Sequence, residues 1–173
     1  MVDSVRNIDS LQLDEMFEEY KKLRLDMLKL QAGTVCHADA STAIATADAT
    51  NEATLVVLAN ALKASYNAHC ASACSASSGQ GVHIAADGAN LVAAATATDT
   101  ASAITLLNEL KGDYNTHRAS TSFHATADST NAISAANATD EAEAITLANE
   151  AKGDLNAHYA RAFANQAVEV VDP

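Results

Sequence analysis

The sequence predicts a mainly α-helical protein, in which one long N-terminal amphipathic helix precedes three alanine-rich helical repeats of about 41 to 48 residues each. Three observations support this. A heptad-like apolar spacing runs through the first thirty residues. Beyond it the chain repeats itself: the stretch from His83 to His117 and the stretch from His124 to His158 align without a gap and share 21 of 35 residues. A third copy, His37 to His69, is more diverged and two residues shorter near its start. Duplication at this period usually marks a supersecondary unit that buries its apolar face against copies of itself.

In the first helix Leu13, Met16, Tyr20, Leu23, Met27 and Leu30 follow a 3-4-3-4-3 spacing, which winds one apolar seam along the surface and suits a coiled-coil or bundle partner. Asp9 with Gln12 reads as a capping box, Ile8 with Leu13 as a hydrophobic staple and Gly33 as the stop, giving a helix over about 10–32. Its remaining faces are charged, with Glu18 and Lys22 as i,i+4 neighbours, and read as solvated.

Within each repeat the second half is helical. Thr50-Asn51, Thr98-Asp99 and Thr139-Asp140 are helix-start signatures, since short side-chain oxygens accept from the free amides of a first turn. From there one face carries Leu55, Ala59, Leu62, Tyr66 and His69 in copy one. The same face carries Ala103, Leu107, Leu110, Tyr114 and His117 in copy two, and Ala144, Ala148, Ala151, Leu155 and His158 in copy three. The first halves, such as STAIATADA and ANLVAAATA, mix Ala with residues that compete for backbone hydrogen bonds. They fit an extended stretch or a brief helix equally well. The chain thus divides into an assembly arm (1–33), a three-repeat domain (34–160, with copies at 34–74, 82–118 and 123–160) and a tail (161–173). A Gly/Ser-rich linker separates copies one and two, and a short one separates copies two and three.

Composition limits function. Apolar residues are 49% of the chain but aromatics only 4%, so the core is largely alanine, and contacts with neighbouring subunits are the expected supplement. A net charge of −12 disfavours nucleic acid and anionic membranes, and no run is long enough to span a bilayer. No cationic and apolar leader is evident, so synthesis in a cytoplasm is expected. Phosphate-binding loops and nucleophile elbows are missing, which argues against an enzyme, and no catalytic residue or cofactor is assigned.

All six histidines sit at the ends of the copies: His37, His83 and His124 open them, and His69, His117 and His158 close them. Helix-terminal histidines commonly bond the last free carbonyls, and closely spaced ligand motifs are lacking, so no metal ligand is assigned. A metal- or ligand-binding module built on these rings is the second reading. His83 with Asp87, and His124 with Asp128, would be i,i+4 pairs if helical, letting each carboxylate orient its imidazole. Asn60, Asn108 and Asn149, with Lys63, Lys111 and Lys152, are expected to bond one another or the backbone between copies. Asn67, Asn115 and Asn156 are expected to help end the helices.

The run AITLLNELKGDYNTHRASTSFHATADSTNAISAANATD, continued by AITLANEAKGDLNAH, resembles helical repeats of the form ITLANELKxxYNxH…HxxAD found in structural proteins of tailed-bacteriophage particles. The resemblance implies a virion protein, serving in capsid decoration or linking, or as a neck, collar or tail accessory, with other virion proteins or further copies of itself as partners. The N-terminal helix and the cysteines lie outside it. Cys36, Cys70 and Cys74 all flank copy one, and copies two and three carry Val82 and Phe123 in place of Cys36 and Arg118 and Tyr159 in place of Cys70. A cysteine confined to one copy suits an interchain disulfide formed after the reducing cytoplasm is left behind.

Overall fold

In the computed structural model the described residues are 16–24, 42–72, 83, 85–124 and 127–160. The protein is mainly helical. The chain divides into two compact units, Met1–Val35 with Asn165–Pro173, and Cys36–Ala164.

In the first unit residues 16–24 form a helix, α1. Met16, Tyr20 and Leu23 of the expected seam are each more than 60% exposed, as is Phe17. Glu18 pairs with Lys21 at 3.1 Å, one residue short of the expected Lys22, and the Lys21 ammonium sits 5.3 Å from the Phe17 ring centre. Leu13, Met27 and Leu30 lie outside the described residues.

The second unit holds α2 (Glu52–Ala71), α3 (Thr100–Ala119) and α4 (Glu141–Ala160), one per copy and each twenty residues long. The start signals act as expected. Asn51 and Asp99 cap α2 and α3 by accepting from the amides of Thr54 and Ser102, whose hydroxyls accept in return from the cap amides. In α4 Asp140 accepts from the Glu143 amide at 2.9 Å, and Glu143 reaches back to Thr139. All fifteen residues of the three expected stripes are fully buried, joined by Leu58, Leu106 and Leu147. Each helix packs on both others, so the core is a three-sided bundle. Ala59, Ala148 and Ala151 on the buried faces let the helices approach closely.

The first halves of the copies (42–50, 85–98 and 127–139) are irregular and extended, not helical. Their backbones are held by asparagine side chains, each of which accepts a residue's N–H on Oδ1 and donates Nδ2–H to the same residue's carbonyl, as a neighbouring strand would. Asn60 and Asn67 of α2 hold Ala97 and Val92, ahead of α3. Asn108 and Asn115 of α3 hold Ala138 and Ile133, ahead of α4. Asn149 and Asn156 of α4 hold Ala49 and Ile44, ahead of α2. These twelve bonds span 2.8–3.1 Å.

The scheme is cyclic: copy three closes onto copy one, and the repeats form a ring instead of a linear stack. Asn67, Asn115 and Asn156 therefore do not end their helices, which run on for four residues past each. The lysines follow the ring too. Lys63 and Lys111 donate to the carbonyls of Ala94 and Ala135, and Lys152 reaches the Asp48 carboxylate at 2.8 Å. Glu109 and Glu150 each accept two backbone amides of the segment ahead of their own helix. Near the closure, the Ser65 hydroxyl donates to the Thr42 carbonyl and lies 3.3 Å from the Tyr159 hydroxyl.

Candidate functional site

At one end of the bundle the apolar core gives way to rings that carry nitrogen. His69, His117 and His158 occupy the last turns of α2, α3 and α4, and His83 and His124 come from the connections between copies. All five are buried. They pack mostly edge to face, with centroid separations such as 4.4 Å for His69 and His83, 4.6 Å for His117 and His124, and 5.1 Å for His124 and His158. His37 lies outside the described residues.

Hydrogen-bond partners settle which nitrogen of most rings carries the proton, since carbonyl and carboxylate oxygens only accept. His83 donates from Nδ1 to the Ser72 carbonyl at 2.9 Å, and His124 from Nδ1 to the Ser120 carbonyl at 3.1 Å. His117 donates from Nδ1 to Asp87 Oδ2 at 2.8 Å, and His158 from Nδ1 to Asp128 Oδ2 at 2.9 Å. In these four rings Nε2 is left as the lone-pair nitrogen. His83 Nε2 stands 3.1 Å from His69 Nε2, a distance at which one proton lies between the two rings.

The aspartates are held as firmly as the rings. Asp87 Oδ1 accepts the amides of Ala89 and Asn90, and Oδ2 accepts Asn90 Nδ2. Asp128 repeats the arrangement with Thr130 and Asn131. Burial pushes both carboxyls up, but the bonds from Asn90 and His117, and from His158 and Asn131, outweigh it and hold them below the ordinary carboxylate range. The expected pairing of each aspartate with the histidine four residues before it does not form, and the described residues around Asp87 and Asp128 are not helical. Each carboxylate instead orients the closing histidine thirty residues later.

Burial dominates the titration of the rings. It lowers His83 to about 3, and His117 and His158 to about 4 even with their carboxylate partners, while His69 falls well below its ordinary value. At neutral pH the cluster is a set of neutral imidazoles beside two carboxylates.

One ring nitrogen from each of His69, His117, His124 and His158 lies within 4.8 Å of every other. Nδ1 is engaged in His117, His124 and His158, so the nitrogen each directs to this centre is Nε2. His117 Nε2 is buried with no hydrogen-bond partner among the described residues. The arrangement is a convergent donor set of four imidazoles, two of them oriented by carboxylates. Expectation had assigned no ligand set, for want of short-range spacing. The ring closure gathers His69, His117 and His158, more than forty residues from one to the next, around His124.

Cys70 is a free thiol with no exposed surface, and burial pushes it up to about 12. Its sulfur is 3.8 Å from His117 Nδ1. A neutral enclosed thiol can neither reach another chain nor act as a nucleophile, so Cys70 leaves the set of expected interchain cysteines. Cys36 and Cys74 lie outside the described residues. No described helix is long and apolar enough to cross a membrane. Comparison with known protein families, curated proteins and solved structures gives no match, so function rests on this chain's own chemistry.

Proposed function

We propose that this chain is a non-enzymatic structural subunit that works in a bacteriophage particle as a capsid decoration or linking protein. The observation that carries the reading is the cyclic asparagine scheme. The polar residues repeated from copy to copy bond the protein's own backbone, which suits a stiff body better than a reaction site. The particle setting comes from the resemblance of the repeats. The exposed seam residues Met16, Tyr20 and Leu23 suit attachment to other virion proteins or further copies of this chain. A net charge of −12 argues against direct contact with nucleic acid.

Proteomics of density-purified particles tests the proposal. The chain is expected at a copy number comparable with capsid or tail proteins, and labelling on intact particles separates capsid decoration from a neck, collar or tail site. Presence in the infected-cell lysate with absence from particles would overturn it. Electrophoresis of the same particles with and without reductant tests crosslinking through Cys36 or Cys74, and a monomer band in both lanes removes that part.

A further inference from the structure

We propose that the buried histidine core is a binding site for one divalent first-row transition ion, held by His69, His117, His124 and His158 with His83 at its edge. The argument begins with size. A regular tetrahedron with 4.8 Å edges has corners about 2.9 Å from its centre, against about 2.0–2.1 Å for a zinc–imidazole bond, so each ring needs at most about 0.9 Å of inward movement. The 3.1 Å between His69 Nε2 and His83 Nε2 shows that the fold already holds two imidazole nitrogens nearly as close as neighbouring ligands around a tetrahedral ion, about 3.3–3.4 Å. When the ion binds it displaces the proton lying between these two nitrogens, which moves to His69 Nδ1, and no net proton is released.

Orientation is the second line. A ligating histidine characteristically donates its other N–H to a carboxylate or backbone carbonyl, which fixes the ring and raises its basicity. His117 and His158 have carboxylates in that role, and His83 and His124 have carbonyls. His117 Nε2 points most clearly to a bound cation: it is a fully buried acceptor with no donor among the described residues, within the group of converging rings.

Charge is the third. The carboxyl groups of Asp87 and Asp128 are buried against the rings of His117 and His158, and a cation is the occupant that such enclosed acidic groups favour. An all-imidazole donor set selects zinc, cobalt, nickel, copper or ferrous iron, and rejects magnesium and calcium, which require oxygen ligands. Because the site is enclosed, the ion enters as the ring closes, and metal binding is coupled to folding.

The full-length protein, purified without chelator, is expected to hold about one equivalent of transition metal by elemental analysis. Unfolding in chelator and refolding with Co2+ should give visible d–d absorption that Zn2+ abolishes and Mg2+ or Ca2+ does not. Asp87→Asn and Asp128→Asn, which keep the ligands but weaken their orientation, are expected to reduce Zn2+ affinity by 10- to 100-fold, and His117→Gln to reduce it further. Helicity is followed by circular dichroism. If a variant fails to fold, the wild-type stoichiometry still decides. Wild-type protein that refolds to full helicity in excess Zn2+ or Co2+ yet retains less than a tenth of an equivalent after dialysis would overturn the site. The proposal stands apart from the particle role: a metal-free protein found in particles sinks only the metal, and a metalloprotein absent from them sinks only the role.

Discussion

Asn156→Ala puts the ring closure to its most direct test. The side chain accepts the Ile44 N–H at 2.8 Å and donates to the Ile44 carbonyl at 3.1 Å, and Ile44 is almost wholly buried. Truncation leaves both backbone groups short of a partner. At about 1–3 kcal/mol for each of the two unsatisfied groups, less about 0.6 kcal/mol regained from the helix preference for alanine, the cost is about 1.5–5 kcal/mol. For a unit of this size that lowers the melting temperature by roughly 10 °C. The equivalent variants Asn67→Ala and Asn115→Ala act on Val92 and Ile133 through the same geometry and should fall within about 1 kcal/mol of it. Urea unfolding of the three variants side by side measures this. In an open stack the last copy has no following segment to hold, so an Asn156→Ala effect below about 0.5 kcal/mol beside costs of 2 kcal/mol or more at the other two would refute the closed arrangement.

Three further outcomes are expected. His83, His117 and His158 have folded pKa values of about 3, 4 and 4, below the unfolded value near 6.5, so the unfolded chain binds more protons and stability falls as pH drops below about 6.5. For metal-free protein the loss at pH 5 relative to pH 8 is about 2 kcal/mol per ring and roughly 4–6 kcal/mol in all, measurable by urea titration at each pH; a flat profile would show the rings to be solvated. With Cys36→Ser and Cys74→Ser in place, the Cys70 thiol should react with a maleimide at the rate of unfolding, and prompt labelling of the native protein would contradict its burial. Asn51→Ala removes the α2 cap and should cost about 1 kcal/mol by thermal melting, against a few tenths for Asn51→Gly.

Much of the fold was legible because it depends on local rules. The stripe from Leu55 to His69 and its two counterparts mark buried helix faces through their 4-3-4-3 spacing, and Asn51 and Asp99 mark their starts. The ring was not legible, because nothing local distinguishes an asparagine that holds a distant backbone from one that ends a helix. The seven-residue spacing of Asn60 and Asn67, repeated in every copy, was the available signal: it places both amides on one face two turns apart. The donor set was hidden for a related reason. A search for clustered ligands reads sequence distance, whereas His69, His117 and His158 meet only because three helices end at one place. Asp87 and Asp128 were visible as repeated acids, but assuming a helix through them assigned each to the wrong ring.

The Ser65 hydroxyl touches both the Thr42 carbonyl at the beginning of the described bundle and the Tyr159 hydroxyl at its finish. The polypeptide thus comes in and goes out at a single corner. A module of this kind can be spliced into a surface loop of a host domain without prising that loop open. Strung in tandem, such modules hang as pendants, and the distance from one to the next is governed by the connecting chain. Tension along the string loads that shared corner first and leaves the far side of each body unstrained.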